Sequence, residues 1–252
     1  MRIKIINLLS ALLVLISFIA QGQESQNIFQ QGNEAYKAGE FKKALKLYES
    51  IEDDGVISPE LNYNLGNCYY RLDKIGFAIL NYEKALKQDP SFEDAQINLT
   101  RTQSLTVDKI EQLPLPGIVR VYKGFLNIMN TEKWATTSLG FVVLFLVLIL
   151  MINFSNNSPL KKGLFFVNVF VVALAFLTLI FAFSSDYYEK EELILVKDNA
   201  YIKSEPTKSG KDLFILHEGT KVQLKQDNNA WIQIKLSDGL IGWVEKGAFK
   251  KI

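Results

Sequence analysis

The sequence predicts a multidomain membrane protein in three parts: an all-α array of helical repeats, a two-helix transmembrane hairpin and an all-β barrel. Three observations carry this prediction. Residues 32–85 repeat small and aromatic positions at a period of 34. Residues 134–183 hold two apolar runs, each of about 20 residues, the length a helix needs to cross a bilayer. From residue 192 the chain breaks into short β-type runs of alternating polarity with turn residues between them.

The net charge of +1 over 252 residues is unevenly spread. Residues 23–112 hold 10 Lys/Arg against 15 Asp/Glu, and residues 186–252 hold 11 of each. Neither part has the basic excess that nucleic-acid binding needs, so no nucleic-acid partner is expected. One Cys and one His exclude a disulfide framework and most Cys/His metal sites, and no metal or other cofactor is expected. The sequence offers no Ser/His/Asp set, phosphate loop or paired acids in a barrel mouth, so it is expected not to be an enzyme.

Residues 1–22 read as a secretion signal. Arg2 and Lys4 open it, Leu8–Ala20 forms an apolar core, and Ala20–Gly22 puts small residues where a signal peptidase cuts. The alternative is an uncleaved N-terminal anchor. No Cys follows the apolar core, which argues against a lipid-modified N-terminus.

Residues 26–105 form the repeat array. Gly32, Asn33, Tyr36, Ala44 and Tyr48 recur as Gly66, Asn67, Tyr70, Ala78 and Tyr82. Small residues let paired helices approach, and tyrosines fill the space between them. Pro90 ends the second unit, and Phe92–Leu105 keeps the phase as a closing helix. The pattern resembles tetratricopeptide repeats, which are helix–turn–helix units stacked into a superhelix. The resemblance implies a concave groove, lined by the first helix of each unit, that holds extended peptide. Asn33 and Lys37 share one helical face, as do Asn67 and Arg71 one period later. Their amides and cations match the positions that grip peptide backbone and carboxylate, with Tyr36 and Tyr70 adding flat apolar surface. The competing role is structural: Asn33 and Asn67 stabilise helix ends while Lys37 and Arg71 are solvated. Cys68 occupies a small-residue position with no His nearby in sequence, and is expected to be a buried packing thiol.

A stiff Leu113–Gly117 connector follows. In Gly117–Asn130 the residues Ile118, Val119, Tyr122, Phe125, Leu126 and Met129 recur at helical spacing with Arg120 and Lys123 between them. That stretch reads either as an amphipathic helix on the membrane surface or as an ordinary packing helix. Trp134–Ile152 and Leu164–Phe183 are the two spans, free of ionised side chains. Backbone amides in lipid must be satisfied within the segment, so both must be helices. The loop Asn153–Gly163 carries Lys161 and Lys162, whereas the far end of the second span carries Asp186, Glu189, Glu191 and Glu192 around Lys190. Lysine-bearing short loops stay cytoplasmic, so both soluble parts are expected outside, in agreement with the signal segment. Asn168 and Thr178 are expected to bond locally or across to the first span.

Residues 190–252 form the barrel, with five or six strands expected. In Trp231–Leu236, Trp231, Gln233 and Lys235 point one way and Ile232, Ile234 and Leu236 the other. Ser237–Gly239 and Asn228–Asn229 are hairpin turns. The runs "AYIKSEPTKSG", "LHEGTKVQL" and "WIQIKLSDGLIGWV" with the closing Phe249 resemble bacterial SH3-like domains, which bind peptides or cell-wall material. That resemblance offers Tyr201, Trp231 and Trp243 as a binding surface; the alternative is that the tryptophans pack the strands. His217 reads as a turn residue, since a lone His is not a metal site.

The order of signal segment, short repeat array, membrane hairpin and SH3-like barrel resembles the BatE family of bacterial aerotolerance operons. The resemblance implies an inner-membrane, periplasm-facing component working with BatA-, BatB- and BatD-like membrane proteins and a MoxR-type ATPase in oxygen or envelope stress tolerance. It brings no catalytic residues. The leading expectation is a membrane-anchored adaptor that binds proteins through its repeats. A cell-wall sensor binding peptidoglycan through the barrel is the alternative. A channel subunit would require oligomerisation of two uncharged helices.

Overall fold

The computed structural model describes residues 23–110, 116–126, 128–155, 157–188 and 191–252. The signal segment at 1–22 and most of the Leu113–Gly117 connector lie outside the described residues.

Five helices build the array: α1 (23–37), α2 (Phe41–Asp53), α3 (Pro59–Arg71), α4 (Ile75–Gln88) and α5 (Glu93–Gln103). They form two layers. Asn64 of α3 bonds Asn33 of α1, and Asn98 of α5 bonds Asn67 of α3, so α1, α3 and α5 lie side by side. Lys84 of α4 pairs with Glu52 of α2 in the second layer. Local chemistry sets the helix ends. Ser58 caps α3 by accepting from the Leu61 N–H, with Pro59 at the first helical position, where its missing donor costs nothing. Gly39 leaves α1 at φ +78°, and its counterpart 34 residues on, Asp73, leaves α3 at φ +58°.

The repeated glycines are packing devices. A Cβ on Gly32 would stand 2.5 Å from the Tyr48 ring, and one on Gly66 would stand 2.6 Å from the Tyr82 ring. Tyr48 and Tyr82 are fully buried there, against Ala44 and Ala78 with no exposed surface. The two units are therefore built on one interlock, glycine against tyrosine, at the predicted period.

Helix α6 (Gly117–Leu126) leads into α7 (Thr131–Phe154) and α8 (Ser158–Tyr188). Both α7 and α8 are long and apolar enough to cross a membrane. They pack as an antiparallel hairpin, with the Ser138 hydroxyl of α7 donating to the Ala175 carbonyl of α8. Their outer surfaces expose Leu139, Val143, Leu146, Phe166, Phe170 and Phe176. A soluble fold rarely leaves apolar surface of that extent open. The helices run beyond the predicted spans, because each added turn satisfies its own backbone amides. Lys161 and Lys162 consequently sit on the first turns of α8 rather than in a loop. Thr178 bonds the Leu174 and Ala175 carbonyls as expected of a local partner, whereas the buried Asn168 Oδ1 meets no donor.

The β module has seven strands: β1 (Glu192–Leu195), β2 (Asn199–Lys203), β3 (Asp212–His217), β4 (Lys221–Asn228), β5 (Trp231–Lys235), β6 (Ile241–Glu245) and β7 (Phe249–Lys251). They form one antiparallel sheet in the order β3-β2-β6-β5-β4-β1-β7. It is an open sheet with β3 and β7 at its edges, curled over one core, with more strands than the five or six expected. The extra strand is β7, three residues long and too short to leave a periodic signal. Ile232, Ile234 and Leu236 do enter the core, beside Ile202, Leu195 and Val244. Gly239 turns the β5–β6 hairpin at φ +99°. The other tight turn falls at Asn229–Ala230, one residue past the expected pair, with Asn229 at φ +51°.

The array and the β module touch. Ile194 of β1 is completely buried, in one core cluster with the array residues Ile75, Ile79 and Leu99. Because α7 and α8 return the chain to the end it started from, both soluble parts stand at the same end of the hairpin. Lys133 of α7 pairs with Asp89 at the end of α4, and the Asn130 side chain donates to the Gln88 carbonyl, which ties hairpin to array.

Candidate functional site

Two surfaces carry the predicted binding residues: the α1–α3–α5 layer and the outer face of the β module. In the first, Asn33 and Asn67 are already engaged. The Asn33 Oδ1 accepts from the Tyr48 hydroxyl at 2.7 Å and from Asn64 Nδ2 at 3.1 Å. One period on, the Asn67 Oδ1 accepts from the Tyr82 hydroxyl at 2.7 Å and from Asn98 Nδ2 at 2.9 Å. All three members of the network repeat at 34. The buried tyrosine hydroxyls need these acceptors, since a buried donor left unmade is costly. Both lone pairs of each Asn carbonyl are used, so contact with a peptide falls to the Nδ2 donors.

Lys37 and Arg71 are exposed, while Tyr36 and Tyr70 are half-buried. Tyr36 and Arg71 meet on Phe41: the Tyr36 ring lies edge-on to it at 5.2 Å, and the guanidinium stacks 4.5 Å from its centroid. That contact pins Arg71 at the junction of the two units with its charge toward solvent. Cys68 beneath them has no exposed surface. Burial, with Glu49 adding to it, pushes its thiol up to about 12, so it is a packing group and a poor nucleophile.

On the β module, strand alternation puts Tyr201, Trp231 and Trp243 on one outward face. Each sits at an outward position next to a buried core residue: Ile202 beside Tyr201, Ile232 beside Trp231 and Val244 beside Trp243. Trp243 stands opposite Lys203 of β2 and Gln233 of β5, and Trp231 opposite Glu245. Tyr201 is 52% exposed and both tryptophans are partly covered.

A third constellation lies between array and β module. The Glu218 carboxylate accepts from the Gly76 N–H at 3.0 Å. Helix α4 has no side-chain cap of its own and no acid in its first turn. Glu218 thus supplies from the β module the acceptor and the negative charge that a helix start calls for. Gly76 is needed for the approach, since a Cβ there would lie 2.7 Å from the Leu195 carbonyl oxygen. Further along α4, Glu83 pairs with Lys221, which also pairs with Glu192. Burial pushes the Lys221 amine down, but the two carboxylates outweigh it and its pKa is raised. Beyond α5, the Asp108 carboxylate accepts from the His217 N–H at 2.7 Å and the Thr220 hydroxyl at 2.6 Å, and lies 2.9 Å from His217 Nδ1. Burial raises Asp108, yet these bonds leave its pKa below the ordinary carboxylate value. His217 is therefore a docking residue at the end of β3. Among the described residues, no cluster of His, Cys, Asp and Glu suited to a metal ion is found.

This junction stands where the next unit of the array would stack. Glu49 of α2 accepts from Tyr69 of α3, the following unit. Glu83 is its counterpart 34 residues later, and its partner is Lys221 of the β module. A signal for this was present in the sequence: Lys42 and Lys46 of the first unit become Gly76 and Leu80 in the second, a solvated face turned into a covered one.

Comparison with known families agrees with both soluble parts. Residues 59–92, which are α3, α4 and the turn after them, match the tetratricopeptide repeat. Residues 198–250 match the bacterial SH3 domain. No curated protein matches the chain. The chain thus joins a tetratricopeptide array to a bacterial SH3 domain across two helices long and apolar enough to span a membrane.

Proposed function

We propose that the protein is a non-enzymatic, membrane-anchored adaptor whose α1–α3–α5 groove holds an extended segment of a partner protein. The observation that carries this reading is the placement of the β module: it covers α4 and leaves the groove side open, with Lys37, Arg71 and the half-exposed Ile97 facing solvent. Tetratricopeptide arrays serve protein–protein interaction, and the exposed cations favour an acidic segment. The hairpin anchors the assembly. Lys161 and Lys162 at its bend support a cytoplasmic bend, with both soluble parts on the periplasmic face of the inner membrane. The resemblance to the BatE family supports BatA-, BatB- and BatD-like proteins and a MoxR-type ATPase as the system served. The test is photocrosslinking in intact cells from Ile97. Lys37→Glu combined with Arg71→Glu should cut the crosslinked partner by about tenfold or more, as loss of charge-assisted bonds implies. An unchanged yield would refute the groove.

A second reading rests on the outward face of the SH3 domain. Tyr201, Trp231 and Trp243 share it, and domains of this class bind cell-wall material. Under this reading the protein senses peptidoglycan. The full chain in detergent is the material to use, because an isolated β module would expose Ile194. Co-sedimentation with purified peptidoglycan, lost in Trp231→Ala with Trp243→Ala, would favour it over the adaptor.

A further inference from the structure

Helix α6 carries two apolar stripes, and the fold uses only one. Val119, Tyr122 and Leu126 follow each other at helical spacing on the side toward α8. The Tyr122 ring meets Phe181 of α8 at 6.2 Å, and Leu126 is buried. The Leu126 carbonyl accepts from the Trp134 indole, whose ring lies edge-on to the same Phe181 at 5.0 Å. The second stripe is Ile118, Val121 and Phe125, exposed by 83%, 61% and 51%. At 100° per residue it adjoins the first stripe, and Arg120 and Lys123 fall on the side away from it.

We infer that α6 is a membrane-surface helix whose stripe of Ile118, Val121 and Phe125 seats in the lipid at the boundary between headgroups and acyl chains. This rests on the reading that α7 and α8 span the bilayer. Its level in the fold fixes the occupant. Phe181 lies three residues before Ser184, where the apolar stretch of α8 ends, and Trp134 lies in the first turns of α7. Helix α6 therefore meets the hairpin at the rim of its apolar belt, where the amphipathic indole of Trp134 also belongs. The free stripe continues the belt sideways, so the solvent that covers the hairpin covers it too. On the other side Arg120 faces headgroups and water, as a surface-lying helix requires. With the Lys133–Asp89 pair, α6 gives the array a third tie to the membrane besides the two spans.

The test uses the full chain, one copy per nanodisc of phosphatidylethanolamine and phosphatidylglycerol with lipids brominated high on the acyl chains. A fluorescent label goes on one introduced cysteine at a time; the native Cys68 is fully buried and stays unlabelled. The positions are Val121→Cys and Phe125→Cys on the free stripe, and Lys123→Cys, about 160° from both at 100° per residue, on the opposite side. Leu146→Cys on α7 reports the span. Bromolipid should quench labels at 121 and 125 at least threefold more than at 123, and comparably to 146. Quenching at 146 with none above the 123 level at 121 and 125 would overturn the inference and leave the hairpin standing. Loss of quenching at 146 as well would overturn the spanning reading itself. A single copy per disc removes a second chain as a source of shielding.

Discussion

Helices α2 and α4 hold the same place in consecutive units, yet α2 presents Lys42 and Lys46 to water where α4 presents Gly76 and Leu80 to protein. The inner halves of the units are alike: the Gly32–Tyr48 and Gly66–Tyr82 interlocks and the Asn–Tyr–Asn networks superpose at 34 residues. Only the outward faces diverge, and they diverge because different neighbours arrive. Unit one is followed by unit two. Unit two is followed by α5 and then by a segment containing Leu113-Pro114-Leu115-Pro116, whose prolines lack the amides a next helix would need. Strand β1 and the turn at Glu218–Gly219 take up the vacant stacking surface instead. A short array need not end in a polar capping helix; a β module that follows the α7–α8 hairpin can close it.

The sharpest way to break this comparison is to remove the residue that plugs the junction. Ile194→Ala should cost about 2–5 kcal/mol, the range for emptying a fully buried aliphatic site. Hydrogen exchange should rise in α4 and α5 well before α2. Equal loss in α2 would mean that the units do not differ in what supports them.

Next in size is the matched pair Gly76→Ala and Lys42→Ala. The first forces a methyl against the Leu195 carbonyl and should cost about 1–3 kcal/mol. The second changes a solvated position and should stay within about 0.5 kcal/mol. Denaturant unfolding of the full chain in detergent measures both, and similar values would dissolve the distinction.

Docking polarity sharpens it further. Glu218→Ala should cost about 1 kcal/mol, as loss of a helix cap does. Asp108→Asn probes the other side of the junction through pH. Asp108 is held below its ordinary value of 3.8, so its ionised form stabilises the fold above that pH. The gap between wild type and Asp108→Asn should be constant near neutrality and close as pH falls below 3.8 toward the lower folded-state value. A gap that widens on acidification would contradict the assignment. The smallest effect belongs to Asp73, which holds at φ +58° the turn position that Gly39 holds in unit one. Asp73→Gly should raise stability by up to about 1 kcal/mol, because left-handed backbone strains a residue with a Cβ.

Much of this was legible residue by residue. Ile232, Ile234 and Leu236 announced their burial by alternation, and Trp231 its outward placement. The α1–α3–α5 layer was half legible. Spacing correctly put Asn33 and Lys37 on one face, but it could not tell that the Asn33 carbonyl is spent on Tyr48 and Asn64, because hydrogen-bond partners in other helices leave no mark on local periodicity. His217 read as an idle turn residue for the same reason: its partner, Asp108, is 109 positions away.

The sequence by itself determined the 34-residue interlock, two helices long and apolar enough to cross a membrane, and the alternating strands, since helix pitch, apolar length and strand pleat are features that a single stretch of chain must obey. Only the tertiary structure decided that the β module closes the array. That contact joins Gly76 to Glu218 across 142 positions, and nothing periodic connects two surfaces that meet only once the hairpin has brought the chain back.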